Sequence, residues 1–420
     1  MTMKLAEVFA LIAGERPDLE FTAFDGSRSG NPDADVRIEL RSERAVQYLA
    51  SAPGELGLAR AYVAGEIEIH GSLHDTLTTL GDVSLRKFTK AEKLQIARTL
   101  AGYRRFKIAP PSEEVRLVGD RHTKRRDAAS ISHHYDVSNR FYAWVLGPSM
   151  AYTCAVYPRT DATLEVAQAE KFDLVCRKLE LRPGQRLLDV GCGWGGMVRH
   201  AVENYGVRAI GVTLSQQQAR WGQELIERLG LQERAEIRHG DYRDIAETDF
   251  DAVSSIGLTE HIGKANYSAY FAFLRARLRP AGRLLNHSIT RANDVGETLF
   301  PNGFINRYVF PDGELTGPGH LLSTMSNQGF EGRHEENLRE HYALTLRDWS
   351  ANLDDHWDEA IAEVGPGKAR VWRLYLVASQ VAFEQNRIQL HQFLAVNTAS
   401  NGRSAMPLRP TWESNQLHAN

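Results

Sequence analysis

Residues 187–196, Leu-Leu-Asp-Val-Gly-Cys-Gly-Trp-Gly-Gly, place a carboxylate and alternating glycines directly after an apolar run. Asp189, Gly191, Gly193 and Gly195 read as a turn that closes a buried strand and opens a helix, expected from about Met197 to Tyr205. Residues without Cβ reach φ > 0 there and let a ligand approach the main chain. The helix start turns its free N–H groups toward the same place. Glycine-rich turns also occur in α/β proteins for structural reasons alone, but the full Asp-x-Gly-x-Gly-x-Gly run favours a bound cofactor. A dinucleotide turn would space its glycines G-x-G-x-x-G and place a pyrophosphate on that helix, whereas the spacing that stands out here, counted from the carboxylate, is Asp-x-Gly-x-Gly-x-Gly. Thr213, Asp241, Glu260 and His287, the other residues with chemistry to offer, fall at or just past the ends of later apolar runs.

A doubly wound sheet would position them so. Strands are expected at Arg186–Val190, Ala209–Thr213, Glu236–His239, Ala252–Ile256 and Arg283–Ile289, with amphipathic helices between them, including Ser215–Leu229 and Ala265–Leu278. Ligands of such sheets collect at the carboxyl ends of the strands. The first hundred residues differ. Val36–Arg41 alternates strictly, as a half-buried strand does, and short helices are expected at Glu43–Ala50, Gly57–Ala64 and Ala91–Tyr103. This block has no glycine loop and no cluster of acids, bases or thiols. It reads as a smaller α+β accessory domain over residues 1–103, followed by a basic linker over 104–129 and a catalytic domain over 130–420. The linker region carries Arg104, Arg105, Lys107, Arg116, Arg121, Lys124, Arg125 and Arg126 around Pro110-Pro111. Such a run serves as a solvated connection or as a surface attracted to anionic head groups.

Composition narrows the class. The chain has 420 residues, 42% hydrophobic and 25% charged, with a net charge of −3, so nothing draws it as a whole to nucleic acid. Cys154, Cys176 and Cys192 are too few and too scattered for a disulfide framework or a zinc site, so no metal is expected and a reducing cytoplasm fits. Glu7, Glu15, Asp18 and Glu20 break any signal-peptide pattern, and no apolar run is long enough to span a bilayer.

The glycine loop resembles the S-adenosylmethionine (SAM) loop of class I methyltransferases, whose glycines admit the amino-acid end of that cationic cofactor. The resemblance implies a Rossmann-like methyltransferase fold and further cofactor contacts. Many such enzymes hold the ribose with an acid ending the second strand. This chain departs from that and offers Thr213, Leu214, Ser215 and Gln218, whose hydroxyl and amide groups can also bond two hydroxyls. Ser215 is at the same time a helix N-cap candidate. Asp241 and Tyr242 place a carboxylate for an adenine amino group and an aromatic face beside it.

Six separated segments carry a narrower likeness. They are His133–Tyr142, Met150–Val156, the glycine loop, Gly211–Gln218, Ser255–Gly263, and Asn286–Ile289 followed by Tyr308–Pro311. Together they resemble the cyclopropane fatty acyl phospholipid synthases and mycolic acid cyclopropane synthases over roughly residues 130–400. The accessory domain suits the phospholipid-acting branch. Phe310–Gly317, His341–Trp349 and Pro407–Trp412 look closer to the methyl-branch relatives, which make 10-methylene stearoyl chains, precursors of tuberculostearic acid, from oleoyl chains. The resemblance implies a bound bicarbonate as base, held by Cys154, Glu260, His287, Tyr342 and the Ile289 amide, with Glu260 either protonated or orienting His287. It also implies that Tyr135, Tyr152 and Thr153 border the cofactor, with aromatic faces near the sulfonium. Each has a plainer alternative: Cys154 as a small buried hydrophobe, Glu260 as a helix cap, His287 as a core histidine, Tyr342 as packing. The implied substrates are phospholipid acyl chains, met by a cytoplasmic protein attached peripherally to the inner face of the membrane. A ring-forming outcome, a small-molecule N-methyltransferase, a separate reductase and self-association stay open.

Overall fold

The computed structural model describes residues 3–14, 16–81, 89–103, 108–115, 137–294 and 303–412. They form two compact units. The first takes the described residues within 1–116, 299–311 and 353–381; the second takes those within 117–298, 312–352 and 382–420. A cut at residue 103 therefore accounts for only part of the first unit. Later stretches return to it through ionic contacts that local sequence does not announce. Arg60 donates to both oxygens of the buried Glu114 at 2.7 Å, Tyr308 Oη reaches the same carboxylate at 3.4 Å, and Arg370 Nη2 donates to Glu68 at 2.5 Å. Most of the basic run around 104–129 lies outside the described residues, as does Tyr135.

In the first unit, β1 (Leu19–Ala23), β2 (Arg28–Gly30), β3 (Val36–Leu40) and β4 (Ile67–His70) form a sheet in the order β2-β1-β3-β4. The alternation seen in the sequence is real: Val36, Ile38 and Leu40 are buried while Arg37 is exposed. Helices Glu43–Ser51 and Glu55–Val63 supply Val46, Tyr48 and Ala61 to the same small core.

The second unit is built on seven strands. β5 (Arg186–Val190), β6 (Arg208–Thr213), β7 (Ala235–His239), β8 (Phe250–Ile256) and β9 (Leu278–Arg291) are parallel neighbours in the order β7-β6-β5-β8-β9. β11 (Ile388–Asn397) adds antiparallel to β9, and β10 (Glu331–Asn337) adds antiparallel to β11. The chain reverses its direction of winding between β5 and β8, so the crevice above their carboxyl ends is the place for a ligand. Side chains alternate between two cores. Leu187, Leu285 and Leu394 face the layer containing helices Leu164–Leu179 and Gly196–Tyr205. Leu188, Leu284 and Phe393 face the layer of helix Tyr267–Arg277. The expected parallel strands are all present, with β8 and β9 longer than their apolar runs. β10 was not legible, because Glu-Gly-Arg-His-Glu-Glu-Asn is the charged sequence of a sheet edge and carries no apolar alternation.

Candidate active site

The glycine loop leaves β5 with Gly191, Gly193 and Gly195 at φ of 77°, 55° and 81°. The amides of Gly191 and Cys192 both donate to the Val212 carbonyl, which ties the loop to the neighbouring strand. A Cβ on Gly191 would meet Leu258 at 3.1 Å and one on Gly195 would meet Ile237 at 2.9 Å, whereas one on Gly193 would meet nothing within 4 Å. Gly193 thus borders open space, as a loop that receives a ligand on its main chain requires. Beneath the turn, Asp189 is buried and accepts from Ser254 Oγ at 2.6 Å; burial raises its carboxyl to about 6.

The ends of β6 and β7 lie side by side, with the Gly240 amide donating to the Thr213 carbonyl. Thr213 Oγ1 donates to Gln218 Oε1 at 2.8 Å, and Ser215 caps the helix Gln216–Arg228 by accepting from the Gln218 amide. His239 Nε2 sits 3.2 Å from the Leu214 carbonyl. The cofactor residues expected on these two strands are therefore neighbours. Asp241 is also the acceptor of an ion pair: Arg243 reaches it through Nε at 2.7 Å and Nη2 at 2.5 Å. Tyr242 packs edge-on against Tyr270 and Phe273.

Segment 150–157 crosses the same end of the sheet and is fixed from two helices. From Leu164–Leu179, Gln168 Nε2 donates to the Thr153 carbonyl at 2.9 Å and Lys171 Nζ donates to Thr153 Oγ1 at 2.8 Å. From Arg339–Asp355, Thr345 Oγ1 accepts from the Ala155 amide at 3.0 Å and Asp348 accepts from Tyr157 Oη at 2.8 Å. Tyr152 lies between Tyr142 and Trp349, with ring centroids 5.9 and 5.3 Å away. Cys154 is fully buried, and burial pushes its thiol far above the ordinary range, so it stays S–H. That thiol and the Tyr342 amide both reach the Leu338 carbonyl, while the Leu338 amide donates to Leu390, the β11 partner of Ile289. One backbone path therefore joins Cys154, Tyr342 and Ile289. The Tyr342 ring packs on Phe383 and Trp349.

Glu260 stands on the short helix Thr259–Ile262, which follows β8. Its Oε2 accepts from Ser288 Oγ at 3.1 Å, and the Ile289 amide also bonds the carboxylate. Burial dominates these bonds and raises the group to about 7. A Cβ on Gly257 would stand 2.9 Å from Thr153 and 3.9 Å from Glu260 Oε1, so the two side chains flank one glycine. His287, one residue before Ser288 on β9, points to the other face, in phase with Leu285. Its Nδ1 lies 3.2 Å from Gln392 Nε2, and its buried Nε2 has no partner among the described residues. Burial lowers the imidazole pKa well below its usual value, aided by Lys171 and Lys178. The alternative that Glu260 orients His287 is not what the structure shows, since each is held by other partners.

Sequence reading missed the lysines. Lys171 and Lys178 are fully buried, and Lys171 is lowered to about 7 by burial. Lys178 Nζ donates to Gln392 Oε1 at 2.8 Å and pairs with Glu336. Gln168, Lys171 and Lys178 fall in phase with the buried stripe of their helix, and a polar residue in that phase was the signal available.

The sequence profile of mycolic acid cyclopropane synthetase matches residues 122–393. A probable fatty acid methyltransferase of Mycobacterium tuberculosis is 53% identical over 424 residues, covering 98% of this chain and 99% of its own. A cyclopropane-fatty-acyl-phospholipid synthase of Escherichia coli K12 is 32% identical over 381 residues, covering 89% of this chain and 91% of its own. Mycolic acid cyclopropane synthase CmaA1, solved in complex with SAH and CTAB, aligns with a TM-score of 0.60 and 33% identity over 64% of this chain and 98% of that one. The seven-stranded unit has the class I methyltransferase fold, with SAM as methyl donor, and the chain belongs to the mycolic acid cyclopropane synthetase family.

Proposed function

We propose that this enzyme methylates the cis double bond of an oleoyl-type chain on a phospholipid and leaves a 10-methylene branch. The observation that carries the reading is the fully buried His287, whose Nε2 is unpartnered among the described residues, two residues before Ile289 on the same strand. An alkene that attacks a sulfonium methyl breaks the S–CH₃ bond and leaves a carbocation on its other carbon. A hydride shift from the methylated carbon moves the charge there, and loss of a methyl proton to a base then leaves the methylene. The sequence calls for exclusion of water throughout. The ligand we assign to this site is a small anion. His287 and the Cys154 thiol are buried, and Lys171 and Lys178 add positive charge that the imidazole feels. Bicarbonate, when bound, supplies the base; Cys154, Glu260, His287, Tyr342 and the Ile289 amide are the residues we assign to it. Glu260, at about 7, is poised to take up or release a proton at Oε1 or Oε2 near neutral pH. Gly191, Gly193, Gly195, Tyr152 and Thr153 are assigned to the amino-acid end of SAM, and Thr213–Gln218 with Asp241 and Tyr242 to its nucleoside.

The name of the relative at 53% identity, a probable fatty acid methyltransferase, supports an acyl chain as the acceptor. Apart from the SAM loop the chain contains no dinucleotide fingerprint, so reduction of the branch is assigned to a separate reductase. Attachment to the membrane surface belongs to the same proposal; no described helix is long and apolar enough to cross a membrane.

Purified protein, SAM and dioleoyl phospholipid vesicles test the reading together. The expected product is a chain one CH₂ heavier that still takes up hydrogen. Depleting bicarbonate is expected to slow its formation, and adding it back to restore the rate. Upfield cyclopropane proton resonances would instead assign the ring-forming outcome, and full rates without bicarbonate would favour Glu260 as the direct base. Pelleting the same vesicles at low and high salt reads whether attachment is electrostatic.

A further inference from the structure

Beyond the residues assigned to the anion, a buried chain of contacts ends on His287. Lys178 Nζ donates to Gln392 Oε1 at 2.8 Å, and Gln392 Nε2 lies 3.2 Å from His287 Nδ1. Gln392 pairs directly with His287 across β11 and β9, so both side chains stand on the face covered by helix Leu164–Leu179. Lys178 and Gln392 are fully buried, and Lys178 is anchored on its other side by Glu336 of β10.

We infer that Lys178 and Gln392 are positioning residues that hold His287 as its Nε2–H tautomer, making the ring a fixed hydrogen-bond donor at Nε2. An ammonium has donors and no acceptor, so only the carbonyl end of the Gln392 amide can face it. The NH₂ end is thereby turned to the ring, and an N–H facing Nδ1 requires the lone pair there. In a neutral imidazole the single proton must then sit on Nε2. The ring stays neutral because it is buried beside two lysines. The side chain that sequence likeness marks as part of a base site is on this argument a donor, and cannot itself take the proton at Nε2.

The inference rests on the anion reading above for what Nε2–H addresses, but its first test needs no ligand. Ring ¹⁵N spectra of the full-length protein, with the signal assigned by its loss in His287→Gln, are expected to show Nε2 protonated and Nδ1 unprotonated near neutral pH. Gln392→Glu places an acceptor against Nδ1 and is expected to move the proton there. Lys178→Met frees the amide to turn over and is expected to give both tautomers. Once Nε2 has become an acceptor, the bicarbonate concentration needed for half-maximal rate should rise roughly 10- to 100-fold, the scale of one hydrogen bond to an ion. A wild-type proton on Nδ1 overturns the inference even if neither variant folds, and so does a tautomer unmoved by Gln392→Glu. The expected spectra in an enzyme indifferent to bicarbonate would uphold the tautomer device and overturn the anion reading alone.

Discussion

Glu260→Gln is expected to lower turnover by roughly 100- to 10,000-fold, the range of a positioned proton carrier, while making the protein more stable at neutral and alkaline pH. The second effect follows from burial. The carboxyl rises from 4.5 in the unfolded chain to about 7 in the folded one. Between those values the folded protein keeps a proton that the unfolded chain has lost. Its contribution to stability is fully present below the unfolded value, declines as pH rises through about 7, and is lost above it. Glutamine can accept from Ser288 and the Ile289 amide without ever ionising. A gap of one pH unit between the folded and unfolded values is worth about 1.36 kcal/mol, so the variant should gain on the order of 3 kcal/mol on wild type between about pH 4 and pH 8. Urea unfolding at the two pH values measures it. An unchanged difference would return Glu260 to an ordinary carboxylate.

Gly193→Val should weaken SAM binding by roughly 100-fold or more, an effect of about 2.7 kcal/mol, in a protein that still folds. At φ of 55° a β-branched residue is strained by about 1–2 kcal/mol, yet its Cβ meets no protein atom within 4 Å. The methyl groups instead enter the space the loop leaves open. Gly211→Val makes the contrast, because a Cβ there would press on Cys192 and Val198 at 2.9 Å. That variant should lose stability before it loses affinity. Calorimetric titration with SAM, paired with thermal unfolding, separates the two. Undiminished affinity in Gly193→Val would remove the loop from the cofactor site.

The sheet was legible where burial writes itself into one dimension. Leu187, Leu188, Val190, Leu284 and Leu285 are apolar because both faces of those strands are covered, and the glycines of the loop are fixed by φ. What local pattern could not convey was pairing over long separations. His287 and Gln392 meet because β11 runs back along β9, and Lys178 reaches them from a helix more than a hundred residues earlier. The return of residues within 299–311 and 353–381 to the first unit has the same character, since Tyr308 and Arg370 meet Glu114 and Glu68 only in three dimensions. Arg243, two residues past Asp241, was visible in the sequence as a nearby cation, but its bidentate hold on that carboxylate needed the turn to be seen.

The central claim is that the methyl carbon joins the acyl chain and then gives up one of its hydrogens. SAM carrying a fully deuterated methyl group, supplied with oleoyl phospholipid and the purified enzyme, tests this most directly by mass spectrometry of the released fatty acid. The account predicts a product that keeps two of the three deuteriums, as a deuterated methylene group attached to carbon. Retention of all three, or label found on the head group, would contradict it.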